Sequence, residues 1–581
     1  MDHLAPAPLD DPGVTNRAHT HAARVHNAEQ PIARIPPETL ADILSILCLI
    51  DPPSFEIRQT WPETITTYRG WLCATYVCQR WRHVALDHSA LWANITLPHP
   101  FGRDGVDTFI SRAQDVPLTI TYSHMSMIQP DYSMASDRYH SRWDLIEEHL
   151  ARVRVLDLHL YHTDIVIPRL HGPAPHLHTL NVCFNTRTYG WHRPSGAIPK
   201  LPDSLLGGPE GAPALQHLRV CSDRAANWSA PRGLLTRLVS LDLAMRISAD
   251  ATLTETFETL GELRQLQRIT LQLDISHHVR RRSSGASVTL PAARDLRLHA
   301  KVADARVVLA RLAFQVDIRV CCEIPCSEDS AEAEQQLPEL LRALAACTGT
   351  RSAATLRVNF APARPLGEAG VDLLAWRSAD TQGPPALTLR LHCAAGSPQH
   401  DAAIVLPAFC SDALEELAAS GDVPTDAWLD ALSSARGLRR VVLKGGAVRP
   451  FCDALHRTEE FLPALCTLVL ARADFEEASQ APAPDGTVRT LADTLALGLA
   501  ARAQAGHALK ELVMLGCTVD NACARRLQDA VPAMVIRWRG EEGEGCEGLF
   551  SVSGGHWDDI GWPAPIEALD ISCIYDLPSH G

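Results

Sequence analysis

Cysteine and histidine are the residue types in this chain that could ligate a metal or attack a substrate, and their spacing decides whether they do either. The 581 residues include 17 cysteines and 26 histidines. Cys321, Cys322 and Cys326 cluster, but no C-x-x-C pair exists to supply the closely spaced thiolates of a structural zinc site. His277 and His278 precede Arg280-Arg281-Arg282-Ser283-Ser284, which reads as an exposed, solvated loop. Gly543-Glu544-Gly545-Cys546-Glu547-Gly548 spells G-x-G-x-x-G behind the strand-like "MVIRW". Its glutamates would repel a pyrophosphate, and no helix pattern follows to supply an anion-binding end. No G-x-S-x-G elbow, H-E-x-x-H or P-loop occurs. The expectation is a chain without catalysis, cofactor or metal, whose chemistry is recognition.

Composition narrows the partners. Hydrophobic residues make up 46% and charged residues 21%, as in an ordinary globular protein, and the net charge is −15. Nucleic acid and anionic membrane both demand a basic face, so neither is expected as a partner. The start "MDHLAPAPLDDPG" has neither the basic residues nor the apolar run of a signal peptide. The longest apolar run, Ile43 to Ile50, stops at Asp51, far short of the ~18–20 residues of a membrane span. The cysteines show no recurring spacing, so no disulfide framework is expected and an intracellular location, cytoplasmic or nuclear, follows. In that setting the sequons at Asn94 and Asn227 carry no glycan.

The elements that would position a recognition surface fall into segments. Residues 1–30, rich in Ala, Pro, His and Asp without an apolar period, read as a disordered tail. Pro36, Pro37 and Glu38 suit a helix start, and Leu40, Ile43, Leu44 and Leu47 follow at the spacing of one apolar face. Residues 51–70 carry three prolines and read as an irregular insert. A second helix is expected over Trp71–Leu86, with Val77, Trp81, Val84 and Ala85 on one face, and Ser89 opens a short further turn.

Beyond Thr96 a phrase recurs, apolar-x-x-apolar-x-apolar. It begins at Val153, Leu177, Leu215, Leu238, Leu266, Ala293, Leu414, Leu438, Leu465 and Leu509. Leu215 to Leu238 is 23 residues, then 28 to Leu266 and 27 to Ala293; Leu414 to Leu438 is 24. Leucine-rich repeats run ~20–29 residues each, and a strand-helix unit of that size buries its apolar face only by stacking on neighbours. The expected fold is therefore α/β: a short N-terminal helical domain, residues 31–97, followed over 98–540 by a curved, irregular leucine-rich-repeat solenoid. The phrases lose register between residues 300 and 410. Residues 541–581 read as an irregular tail. In such a strand the residue between the last two apolar positions faces the concave side. Asp157, Asn181, Arg219, Asp242, Thr270 and Arg297 would then share one substrate-binding surface.

The stretch Ile35 to Trp92 resembles the F-box. The matching elements are Ile35-Pro36-Pro37-Glu38-Thr39-Leu40 with Ile43, then Val77-Cys78-Gln79-Arg80-Trp81, then Leu91-Trp92. Ile35 stands where the family has leucine, and the 51–70 insert is longer than its usual connection. F-box proteins of fungal type with a C-terminal leucine-rich-repeat-like domain are the subclass the whole chain looks like. The resemblance implies docking on a Skp-family adaptor, and through it on a cullin, in an SCF-type ubiquitin ligase, with the repeats capturing a protein substrate. Carried over, the adaptor-binding positions are Pro36, Leu40, Ile43, Leu47, Val77, Cys78, Trp81, Leu91 and Trp92. Of these Pro36, Leu40, Leu91 and Trp92 are expected to face the adaptor, and Val77 and Trp81 the core. The alternative is a leucine-rich interaction scaffold whose helical start is a cap, with no ligase role.

Overall fold

The computed structural model describes residues 21–539, apart from 23–24, 28, 59–63, 98–100, 124–142, 161–169, 185–203, 209, 226–232, 283–285, 316–317, 326–329, 362–368, 394–397, 459 and 479–487. Most of the expected N-terminal tail, the 541–581 tail with its glycine-rich phrase, and Cys326 lie outside the described residues. The chain divides into two compact units, Met1–Leu266 and Gln267–Gly581.

In the first unit, α1 (Pro37–Ile50) begins where expected: Pro36 is its extended N-cap, and Pro37 occupies the first turn, where no amide need be paired. Its buried stripe is Leu40, Leu44 and Cys48, one residue every four. The expected stripe is thus corrected: Leu47 is half-buried and Ile43 exposed. The insert is not irregular. Strands β1 (Ser54–Arg58) and β2 (Thr64–Tyr68) pair antiparallel, Ser54 opposite Tyr68. The hairpin is pinched at its base by the Trp71 amide donating to the Asp51 carbonyl at 2.7 Å.

The expected second helix is two elements. A 3-10 helix, Gly70–Tyr76, and α2 (Gln79–Asp87) meet at Cys78, whose backbone is extended at φ −158 and ψ 171. That break throws Val77 out of phase with α2. Val77 is exposed, Trp81 and Val84 are half-buried, and only Ala85 of the predicted face is sealed. A short helix α3 (Ser89–Trp92) follows as expected, then β3 (Asn94–Leu97) and α4 (Gly102–Ala113).

From β3 a parallel ladder runs through β4 (Leu118–Ser123), β5 (Val153–Leu160), β6 (Thr179–Phe184), β7 (His217–Ala225) and β8 (Ser240–Ile247). Side chains alternate along each strand. Leu156, Leu158 and Leu160 of β5 are buried with Leu180, Val182 and Phe184 of β6, and the polar residues between them face the other way.

In the second unit, β9 (Arg268–Ile275), β11 (Asp295–His299) and β13 (Arg319–Ile324) pair parallel in that order, and a separate short parallel pair joins β10 (Val288–Leu290) to β12 (Leu312–Phe314). Then the order changes. β13 pairs not with β14 (Thr355–Ala361) but with β16 (Leu387–Cys393), and β15 (Ala369–Trp376) lies antiparallel between β16 and β14. This reversal is why the leucine phrases lose register there. The parallel run resumes from β14 to β17 (Glu416–Ser420), β18 (Arg440–Lys444), β19 (Thr467–Ala471), β20 (Glu511–Leu515) and β21 (Val535–Arg539). A helix follows each of β17 to β20, beginning with Thr425–Leu432 and ending with Asn521–Ala530. The Arg280 segment, expected as a loop, is helical over His277–Arg282.

Candidate binding sites

The first candidate surface is built on α1. Its run Ile43 to Ile50 is apolar but for Ser45, and one face of a helix can bury only part of that. Leu40 and Leu44 turn inward. Ile46 is left 59% exposed, Leu49 73% and Ile50 71%, with Ile43 beside them. Tyr76 and Val77, at the Cys78 break, are exposed as well. Arg80 fastens the segment before α1, donating to the carbonyls of Ala33 at 2.9 Å and of Ile35.

The same helices place three expected docking residues elsewhere. Leu40, Leu91 and Trp92 are sealed inside the chain. Trp92 stacks edge-on against Trp71 at 5.2 Å and Phe109 of α4 at 4.9 Å, and the Arg112 guanidinium lies 4.3 Å over its ring. The indole N–H donates to the Ala85 carbonyl at 2.8 Å. For Leu91 and Trp92 the cause is α4, which lies beyond the sequence pattern and roofs the apolar surface that the pattern leaves open; Leu40 is sealed where α1 packs on the Gly70–Tyr76 turn, α2 and α3. Pro36 and Ile43 are exposed, Leu47, Cys78 and Trp81 half-buried.

Residues 32–98 match the F-box-like family. The F-box-like domain thus spans α1 to β3 and takes in the hairpin insert. It suggests a part in SCF-type, ubiquitin-mediated degradation, and domains of this family generally bind Skp1-type adaptors within cullin ligases. The comparison with curated proteins found no match. Ile46, Leu49 and Ile50 were absent from the expected docking set, although the run "ILSILCLI", with more apolar residues than one helix face can bury, was the signal for them.

The second candidate surface is the polar face of the β5–β8 ladder. In-register pairing sets Asp157 beside Asn181, Asn181 beside Arg219, and Arg219 beside Asp242, so four expected residues form one row. Thr270 and Arg297 are likewise direct partners, but on β9 and β11 of the second unit. Arg219 Nε lies 3.2 Å from Asp242 Oδ2, and His159 Nε2 3.4 Å from Asp157 Oδ1.

Two positions further along, the next row brings His159, Cys183 and Cys221 together as successive partners. The leucine phrase ends before this row, so sequence reasoning missed it. The hydrogen bond to Asp157 raises the His159 pKa above its ordinary value. Cys183 and Cys221 are side by side in the ladder, and Arg219 Nε donates to Cys221 Sγ at 3.2 Å. The neighbouring Cys183 thiol and the Arg219 guanidinium outweigh burial and hold the Cys221 pKa below its ordinary value, while the Cys183 thiol is pushed up.

On β17–β20 the corresponding face is different. Ala418, Val442, Val469 and Val513 form a buried apolar row. Among the described residues no helix is long and apolar enough to cross a membrane, and no group of three or more His, Cys, Asp or Glu side chains could hold a metal ion.

Proposed function

We propose that this chain is the substrate-recognition subunit of an SCF-type ubiquitin ligase. Its F-box-like domain docks on a Skp-family adaptor and through it on a cullin. The strand-helix region behind it, read as an irregular leucine-rich-repeat solenoid, binds a protein substrate, and the polar row on β5–β8 is the best candidate contact. In this reading the chain binds and does not catalyse, and it works in the cytoplasm or nucleus. The observation that carries the proposal is the coincidence of the F-box-like match at residues 32–98 with an uncovered apolar strip, Ile46, Leu49 and Ile50, on its first helix. Exposed apolar patches of this kind mark protein interfaces, where a few large side chains supply most of the affinity.

The test is co-purification of the full chain with a Skp-family adaptor. Ile46→Asp with Leu49→Asp should weaken adaptor binding at least ~100-fold while leaving the unfolding midpoint of the free chain in place. A wild-type chain that fails to bind the adaptor overturns the proposal. It would leave the interaction scaffold with a helical cap, the reading favoured by the Trp92–Phe109 contact that ties the domain to α4.

A further inference from the structure

We infer that Cys183 and Cys221 form a two-thiol oxidation site, with Cys221 the attacking thiolate and Cys183 the resolving thiol that closes a disulfide between β6 and β7. The two residues are in-register partners on adjacent parallel strands. Such partners stand about 4.8 Å apart, inside the Cα range of disulfides, and a small local twist of the two strands brings the sulfurs to bonding distance. Both are free thiols, and both are only half-buried, on the polar side of the ladder.

The surroundings divide the two roles. Cys221 receives the Arg219 guanidinium at 3.2 Å from its own strand, and Cys183 of β6 is its in-register neighbour. Across β6, on β5, stand His159 and Asp157; on β8, Asp242 holds Arg219 from the other side, and Arg246 lies exposed further along. A cation held against its sulfur favours the thiolate at Cys221, which is the form that reacts. Cys183 lies on the next strand from Arg219, and the neighbouring Cys221 and burial push its thiol up.

The oxidant is of the hydroperoxide class. The Cys221 thiolate attacks the O–O bond of hydrogen peroxide; an S–O bond forms, hydroxide leaves, and Cys221 becomes a sulfenic acid. The Cys183 sulfur then attacks Cys221 sulfur, loses its proton, and expels the oxygen as water. The two thiols give up two electrons, and the peroxide is reduced to two waters. A low-molecular-weight thiol reverses the reaction by exchange.

The inference rests on the strand face itself and not on what that face binds, so the experiment needs no partner protein. Full-length reduced chain is treated with graded hydrogen peroxide and digested without reduction. A Cys183–Cys221 cross-linked peptide should accumulate ahead of any other. Cys183→Ser should stop the reaction at a sulfenic acid on Cys221 that dimedone traps, and Cys221→Ser should abolish both products. Iodoacetamide labelling of Cys221 should have its midpoint at a lower pH than that of the exposed Cys73, and Arg219→Met should move the Cys221 midpoint up by about one unit. Disulfides spread over other cysteine pairs, or a labelling midpoint for Cys221 no lower than that of the exposed Cys73, overturn the inference.

Discussion

Asp304 shows what a single side chain can impose on this protein. It lies on the helix Val302–Arg311 with no exposure to solvent, and Arg280 Nε is 3.4 Å from its Oδ1, close enough to attract but not aligned to donate. Burial raises its pKa to about 6, although Arg280 pulls the other way. The sign follows from linkage. A carboxyl whose pKa rises on folding stabilises the fold while protonated, below pH ~4, and loses that contribution as pH climbs through 6. Asp304→Asn keeps the shape and removes the charge. At pH 7.5 the variant should be more stable than the wild type by about 3 kcal/mol, at 1.36 kcal/mol for each unit, and the gap should close by pH 4. Chemical denaturation at the two pH values measures it. A variant less stable at pH 7.5 would show that the Arg280 attraction outweighs the cost of burying the charge.

At the scale of elements, what could be read from the sequence depended on how locally each element is determined. "LHTLNV" and "LVSLDL" announced β6 and β8 because one-sided burial of a strand leaves a two-residue period that nothing distant has to supply. That period also placed Asp157, Asn181, Arg219 and Asp242 in one row. "AGVDLLAW" was missed as β15 because its partners are set by an antiparallel reversal that no local period records. The docking strip was misplaced for the same reason, since the residues that cover Leu91 and Trp92 come from α4. The hairpin insert is a further case. Its position depends on Gly70, whose φ is +54 and where a Cβ would meet the Asp51 carbonyl oxygen at 2.3 Å. No residue with a side chain fits there without moving the junction between α1 and the Trp71 turn. Gly70→Ala should therefore cost about 2–3 kcal/mol, from left-handed strain plus displacement of the Asp51–Trp71 hydrogen bond. Thermal unfolding of the full chain would register it, and a change below about 0.5 kcal/mol would mean that the hairpin base is free to shift.

For the molecule as a whole, the question is whether the F-box-like domain is a separable module. The first-unit geometry argues that it is not. β3, the last element of the 32–98 match, is also the first strand of the parallel ladder, with Asn94 opposite Thr119 and Leu97 opposite Tyr122. Ile95 and Leu97 are buried, and so are Val106, Phe109 and Ile110 of α4, with Phe109 facing the two tryptophans of the domain. Each large apolar side chain returned to water costs about 1.5–3 kcal/mol, and the bared edge of β4 would be a template for pairing with another chain. A chain beginning at Pro98 should thus unfold several degrees below the full chain and associate with itself, as followed by circular dichroism and light scattering. If that shortened chain stays monomeric with an unchanged midpoint, β3 and α4 contribute no linkage, and a substrate bound to the ladder could not be held at a fixed angle to an adaptor on α1. If the midpoint falls, the shared strand and the Trp71–Trp92–Phe109 stack are a rigid joint, and the orientation of whatever the ladder holds is set by the fold rather than by a linker.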